Sequence, residues 1–178
     1  MHTVDLRADP SALVPRPAAP EPLGEVRAIL SQVREGGDAA LVDLTRRLDG
    51  ARLDADALIV PPEEVEQAGT EAEPELLEAL EEGERRIRAF SQNQLMMPWR
   101  EEIGGGTLGE VIHAVDRAGI YAPGGAAAYP STVLMCAVPA SVAGAGRIAL
   151  CVPPGPDGSV PAATLAAAHV AGVDEVYR

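Results

Sequence analysis

The sequence predicts an α/β protein in which a helical N-terminal part, residues 1–116, is followed by a β-α-β-α-β unit, residues 117–178. The first observation is that apolar residues before residue 93 recur every three or four positions, the spacing of amphipathic helices. The second is that short apolar runs of strand length alternate with helix-length segments after residue 117. Because a strand, a helical crossover and a second strand favour parallel pairing, this rhythm predicts a three-stranded parallel sheet.

Composition limits both the core and the partners of this chain of 178 residues. Hydrophobic residues make up 47% of it but aromatic residues only 3%, so the core must be built from Ala, Val, Leu and Ile. The net charge of −13 argues against nucleic-acid binding, which normally requires a basic surface. All 14 basic residues are arginine, which excludes Schiff-base chemistry by lysine.

The cysteines and the N-terminus predict a cytosolic protein. Cys136 and Cys151 lack C-x-x-C spacing and lie in apolar segments, so we expect both to be reduced, buried and structural. The N-terminus has no apolar signal core, and no run approaches the roughly 18 apolar residues of a membrane span. We therefore expect no membrane association.

The first 50 residues predict a short strand, an extended tract and two helices. Val4 to Leu6 is a candidate edge strand, and the four prolines that follow predict an extended or loosely attached tract. Apolar residues at helical spacing predict a helix over residues 22–34, which Gly36-Gly37 ends. Asp38 is the predicted N-cap of a second helix, and the pair suggests a helical hairpin with a scaffold or subunit-contact role.

The next segment predicts two helices between short strands. Leu58 to Val60 is a candidate strand, and Pro61-Pro62 opens a helix because proline suits the first helical turn. Residues 71–93 predict a long acidic helix whose glutamates form a solvated face, an interpretation we favour over acid–base catalysis. Its predicted apolar face comprises Leu76, Leu77, Leu80, Ile87 and Phe90. Gly104 to Gly106 predicts a turn, and residues 107–115 predict a strand.

The centre of the chain is the stretch that joins a strand at Ala118–Ala122 to a helix at residues 132–144. Pro123, Gly124 and Gly125 stop the strand, and Ser131 is the predicted N-cap of the helix. Free backbone N–H groups and the helix dipole at such a junction could bind an anion. The motifs G-x-G-x-x-G and G-x-x-x-x-G-K-[ST] are absent, so the alternative of an ordinary tight turn stays open.

The remaining elements complete the predicted sheet. The helix at 132–144 is apolar on nearly all sides, which predicts burial, and Pro139 is expected to kink or split it. Strands at 147–152 and 174–177 flank a helix at 161–171. The chain ends at Arg178, where the loop after the last strand would begin, so we expect a piece of a longer protein or a truncated reading frame.

The histidines predict no metal site within these residues. Zinc needs three or four His, Cys or carboxylate ligands that converge on one point. His2, His113 and His169 lie far apart in unlike elements, with no H-x-x-H or H-x-x-x-H pair. We therefore expect each of them to be a satisfied or half-exposed side chain.

The amino-acid sequences of three stretches closely resemble those of the histidinol dehydrogenase family. The central stretch GIYAPGGAAAYPSTVLMCAVPASVAGA matches that family's G-[IL]-Y-x-P-G-G motif and the Ser-Thr-Val-Leu-Met helix after it. The runs GGDAALVDLTRRLDG and LAAAHVAGVDEVYR fit the same family, so the resemblance covers nearly the whole chain in order. One departure is Ser91, which stands where the family often has histidine in I-x-x-[FY]-H, and any role of that histidine is in doubt here.

The resemblance implies an enzyme and a division of its sites. It implies a zinc-dependent homodimer in the cytoplasm that oxidises L-histidinol to L-histidine, the last step of histidine biosynthesis, in two NAD-dependent steps. Residues 117–178 would begin an incomplete NAD-binding Rossmann-like domain, with Tyr121 contacting NAD beside Gly124 and Gly125. The zinc ligands and the catalytic residues would lie beyond residue 178, so these residues alone are expected to be inactive. The alternative is a non-catalytic remnant that folds, dimerises and binds nucleotide at most weakly.

Overall fold

The computed structural model describes residues 22–124 and 128–178. The predicted edge strand at Val4–Leu6, the proline-rich tract, His2 and Gly125 lie outside these ranges. The chain divides into two compact units, one ending at Gly37 and one extending from Asp38 to Arg178. The predicted domain boundary between residues 116 and 117 differs from this division into compact units and stays a prediction.

Helix α1, Leu23–Leu48, has one interruption at the position where the sequence predicts a break. Gly37 has φ 56° and ψ −140°, a left-handed conformation that glycine adopts without a steric penalty. The segment before it belongs to the first unit and the segment after it to the second. In the second segment Ala40 and Leu44 are buried. The predicted end of the first helical segment at Gly36-Gly37 is confirmed.

Helices α2, Pro62–Thr70, and α3, Pro74–Gln92, each begin with proline in the first turn. Helix α3 starts later than the predicted residue 71 and buries Leu80 and Ser91. Its predicted apolar face is wrong at one position, since Phe90 at the C-terminal end is 68% exposed. The candidate strand at residues 58–60 is a single antiparallel bridge between Ile59 and Tyr177, preceded by a 3-10 turn at residues 55–57.

A β-hairpin follows α3. Strands β1, Trp99–Ile103, and β2, Gly106–Glu110, pair in antiparallel register across a two-residue turn. Gly104 and Gly105 have φ of 62° and 83°, the positive values that favour glycine in tight hairpin turns. The predicted strand at residues 107–115 is therefore too long, and β1 was not expected.

The second unit contains the predicted parallel sheet, in the order β3-β4-β5. Its strands are β3, Arg117–Tyr121; β4, Arg147–Cys151; and β5, Glu175–Tyr177. Helices α4, Pro130–Val142, and α5, Ala162–Ala171, make the two crossovers. Both strand pairs are parallel, so the β-α-β-α-β prediction is confirmed.

The two faces of this sheet have different surroundings. Alternate residues point to one face of a sheet, so Ile148, Leu150 and Val176 share the face that packs into the main core. That core also holds Val133 and Val138 of α4, both fully buried. It is completed by small side chains of α5 that allow close helix packing, namely Ala166, Ala167 and Ala168. The other face contains the last residues of the strands, of which Tyr121 and Cys151 are exposed.

One expectation about helix α4 is wrong. Pro130 occupies the first turn and Tyr129 is the N-cap, so Ser131 lies inside the helix and does not cap it. The helix continues through Pro139 to Val142, so it is not split there, and the expected kink stays a prediction. The predicted burial of α4 is also incomplete, because Met135 is 65% exposed.

No helix in residues 22–124 and 128–178 is long and apolar enough to cross a membrane.

Two adjacent residues of α4 provide a test of the core. Leu134 is 3% exposed and Met135 is 65% exposed. We expect Leu134→Ala to lower the free energy of unfolding by about 2–5 kcal/mol, because it removes buried methyl groups and leaves a cavity. Urea denaturation measures this change. In the matched variant Met135→Ala the loss should stay below about 1 kcal/mol; equal losses in the two variants would contradict this packing.

Candidate functional site

A cavity of about 430 Å³ lies at the edge where the three parallel strands end. Its sheet-side wall contains Tyr121, Cys151 and Tyr177, the last residues of β3, β4 and β5. The strand register pairs Tyr121 with Cys151 and Cys151 with Tyr177, so the three residues form one transverse row. Open parallel sheets bind ligands beyond the carboxyl ends of their strands, which makes this cavity the candidate site.

A second part of the cavity wall comes from the second segment of α1. Asp38, Leu41 and Thr45 line the cavity and recur every three or four residues, so they occupy one stripe of the helix. Asp49 follows the stripe, just after the helix ends. The polar groups on this wall are two carboxylates and one hydroxyl. Leu58 and Ile59 add apolar side chains to the lining of the cavity.

Tyr121 lies on the cavity wall, and its side chain is available to a ligand. The residue is 60% exposed. A tyrosine in this position offers an aromatic face for stacking and a hydroxyl for hydrogen bonding. The position of Tyr121 at the end of the first parallel strand agrees with the predicted end of that strand near residue 122.

Gly124 has a packing role that the sequence does not reveal. A Cβ added at this residue would lie 2.7 Å from the carbonyl oxygen of Pro153 and 3.2 Å from its Cβ. Pro153 belongs to the loop after β4 and also lines the cavity. The absence of a side chain at Gly124 therefore lets the loops after β3 and β4 approach each other. Its predicted partner in cofactor binding, Gly125, lies outside the described residues.

Cys151 differs from its prediction as a buried structural residue. It is a free cysteine and is exposed, because its side chain belongs to the row that faces the cavity. Partial burial of the thiol against the cavity wall nevertheless raises its pKa, since desolvation disfavours the thiolate. Cys136 on α4 is free and of intermediate exposure.

Tyr177 is held in place by a charge network that runs back along the same sheet face. Its hydroxyl donates a hydrogen bond of 2.9 Å to Oε2 of Glu175. Glu175 also accepts hydrogen bonds from Arg117 at 2.6 Å and Arg147 at 3.0 Å. The hydrogen bond to Glu175 is the main cause that raises the pKa of Tyr177, with burial and the charge of Glu175 adding to it.

The same network lowers the pKa of Glu175. The hydrogen bond from Tyr177 is the largest cause, and the charges of Arg117 and Arg147 act in the same direction against desolvation. A lowered carboxyl pKa contributes stability above the unfolded-state pKa, and that contribution is lost as the pH falls through the folded-state value. Glu175 is therefore an ionised acceptor for the Tyr177 hydroxyl at neutral pH.

The two histidines in the described residues, His113 and His169, lie in different elements. His113 is exposed in the segment after β2, which has no regular structure, and His169 is exposed on α5 beside Gly69. Within residues 22–124 and 128–178, no group of three or more His, Cys, Asp or Glu side chains is placed to hold a metal ion. The described residues therefore do not fit a zinc site, while the prediction for the whole chain stays a prediction.

Sequence reasoning found Tyr121 but missed Cys151 and Tyr177. The available signal was positional, because each of the three residues is the last one of a parallel strand. Register then places them in one row. The chemistry that this arrangement supports is binding of a flat, partly apolar ligand, since the wall combines two aromatic rings with a small side chain between them.

The close approach at Gly124 yields a prediction with a control in the preceding strand. We expect Gly124→Ala to lower the free energy of unfolding by about 1–3 kcal/mol, because the added Cβ meets the carbonyl of Pro153. Chemical denaturation of the purified chain provides the measurement. A Cβ at Gly119 on β3 meets nothing within 4 Å, so Gly119→Ala should be tolerated. A neutral Gly124→Ala variant would show that the loops are not held this closely.

Comparison with known proteins shows which family this chain resembles. The family model "Histidinol dehydrogenase" matches residues 17–178. Histidinol dehydrogenase of Methanothermobacter thermautotrophicus is 45% identical over 157 residues, which cover 88% of this chain and 36% of that protein. The enzyme of Parasynechococcus marenigrum is 49% identical over 156 residues, which cover 87% of this chain and 35% of that protein.

A solved structure agrees with the sequence comparison. The crystal structure of histidinol dehydrogenase from Elizabethkingia anophelis superposes with a TM-score of 0.80 at 30% identity, over 92% of this chain and 38% of that one. This chain thus spans about a third of the length of these relatives. The family match over residues 17–178 and the structural similarity agree with the resemblance of the central motif. The chain belongs to the histidinol dehydrogenase family.

Proposed function

We propose that this chain forms the NAD-binding part of a histidinol dehydrogenase, which oxidises L-histidinol to L-histidine as the last step of histidine biosynthesis. The single observation that carries the proposal is the position of Tyr121. In a chain of this family, Tyr121 ends the first parallel strand and lines the cavity at the carboxyl edge of the sheet. Dinucleotides bind at that edge in open parallel sheets.

The proposal gives each nearby residue a separate role. Tyr121 stacks on the dinucleotide or donates a hydrogen bond to it. Gly124 keeps the loops after β3 and β4 close, so that backbone N–H groups can approach the ligand. Gly125, which lies outside the described residues, is assigned to cofactor binding only by its place in the family motif. When bound, NAD accepts a hydride from the substrate. The described residues contribute binding and positioning, and we assign them no proton-transfer step.

Zinc chemistry is not assigned to these residues. The described side chains provide no three-ligand cluster, so the proposal places the zinc ligands and the catalytic groups outside these 178 residues. It follows that the chain alone binds NAD without oxidising L-histidinol. Homodimer formation and a cytoplasmic location belong to the same proposal, by analogy with the family.

The role of Tyr121 is testable by calorimetric titration of NAD into the purified chain. We expect Tyr121→Ala to weaken NAD binding about five- to thirtyfold, because one stack or hydrogen bond contributes roughly 1–2 kcal/mol. Tyr121→Phe should retain most of the affinity if stacking dominates. If the hydroxyl dominates, Tyr121→Phe should lose nearly as much NAD affinity as Tyr121→Ala.

The matched control for this titration is Phe90→Ala. Phe90 is an aromatic residue of similar exposure, 68% against 60% for Tyr121, and it lies on α3 and not on the cavity wall. Its removal should leave NAD affinity unchanged. An unaltered affinity in Tyr121→Ala, with a normal unfolding transition, would show that Tyr121 is structural and would overturn the proposal.

A further inference from the structure

The row of residues on the cavity wall has the shape of a slot. Cys151 lies between Tyr121 and Tyr177 on the middle strand, and the register places all three side by side. Neighbouring strands lie about 4.8 Å apart, so the two tyrosine Cα atoms are separated by roughly 9.6 Å. The small cysteine side chain leaves the space between the two tyrosine side chains unfilled.

We propose that a planar heteroaromatic ring of the dinucleotide occupies the slot above Cys151, with Tyr121 and Tyr177 on its two sides. This inference rests on the proposed function and deepens it, because it adds two residues to the binding site and names the chemical group they receive. Carbon atoms in van der Waals contact are about 3.5–4.0 Å apart, so a ring between two others needs roughly 7–8 Å. A lean of the Tyr121 side chain closes the remaining gap of about 2 Å.

The two walls of the slot differ in hydrogen bonding and exposure in a way that suits binding. The hydroxyl of Tyr177 is tied to Glu175, which itself bonds two arginines, so this ring is a fixed wall. Tyr121 is 60% exposed and is therefore free to lean toward a ligand. A fixed wall lowers the entropic cost of binding, because one of the two rings is already ordered.

The opposite side of the cavity completes an environment for a flat, partly polar ring. Leu41 and Thr45 of the α1 stripe face the same cavity as the row. Leucine offers apolar contact to the edge of the ring, and the threonine hydroxyl can donate to or accept from a ring substituent. Cys151 and Tyr177 are register partners on β4 and β5, so their side chains are neighbours on this face.

Alkylation of Cys151 by iodoacetamide tests the inference on the full 178-residue chain. The rate is measured by mass spectrometry of the modified peptide, with and without NAD, at a pH above neutrality because burial raises the pKa of the thiol. With NAD at about ten times its dissociation constant, we expect labelling of Cys151 to slow about tenfold, because roughly one site in eleven stays empty. Cys136 lies on α4 and not on the cavity wall, so its labelling rate is the internal control.

Two substitutions to leucine extend the test. Cys151→Leu fills the slot and should weaken NAD binding at least tenfold, whereas Met135→Leu on α4, outside the cavity wall, should leave the affinity unchanged. Because Cys151 and Met135 are both exposed, both variants should unfold at the same urea concentration as the wild-type chain. The labelling of Cys151 is then repeated with AMP and with nicotinamide mononucleotide in place of NAD. The fragment that slows the labelling contains the ring that occupies the slot.

The outcomes separate this inference from the proposed function. If calorimetry shows NAD bound and weakened by Tyr121→Ala, but Cys151 is labelled at its unliganded rate, the slot is overturned and the proposed function stands. Equal NAD affinity in Cys151→Leu and the wild-type chain also overturns the slot. If the wild-type chain binds no NAD, both are overturned.

Discussion

Parallel pairing of β3, β4 and β5 is the constraint on which the rest of the second unit depends. Strands that run in the same direction cannot be joined by a tight turn, so α4 and α5 are required as crossovers. The same constraint brings the ends of all three strands to one edge. The cavity at that edge therefore results from topology before any individual side chain is considered.

The unequal faces of the sheet separate stability from binding. One face packs against a core of Val, Leu and Ala, in which small α5 residues compensate for the scarcity of aromatic side chains. The other face contains the tyrosine and cysteine row and a network of two arginines around Glu175. Tyr121 and Cys151 on this second face are exposed in a chain that spans about a third of its relatives' length. Core residues and residues of the candidate site thus alternate along the same strands.

The sequence predicted the elements whose pattern is local. Proline at a helix start located α2, helical spacing located α3, and the alternation of apolar runs with helices predicted the parallel unit. It did not predict β1, because Trp99–Ile103 is mostly charged and is stabilised by pairing with β2 and not by burial. Ser131 failed as an N-cap because Pro130, one residue earlier, already occupies the first helical turn.

The candidate site was only partly predictable for a related reason. The family motif identified Tyr121 and Gly124, but Cys151 was expected to be buried because its strand is apolar. Which face of a strand is covered depends on tertiary packing, and the local sequence contains no record of it. The contact between Gly124 and the Pro153 loop likewise joins residues of separate elements, so only the folded chain reveals it.

The central claim is that a dinucleotide binds at the carboxyl edge of the parallel sheet. Titration of NAD into the ¹⁵N-labelled chain, followed by two-dimensional amide spectra, tests it most directly. The account predicts that the largest shift changes fall at Tyr121–Ala122, Cys151–Val152 and Tyr177–Arg178, with little change in the hairpin at residues 99–110 or at Arg117 and Arg147. These arginines lie at the other end of the strands, roughly 13 Å away. Shift changes concentrated at the hairpin or around the arginines, with the carboxyl edge unaffected, would contradict it.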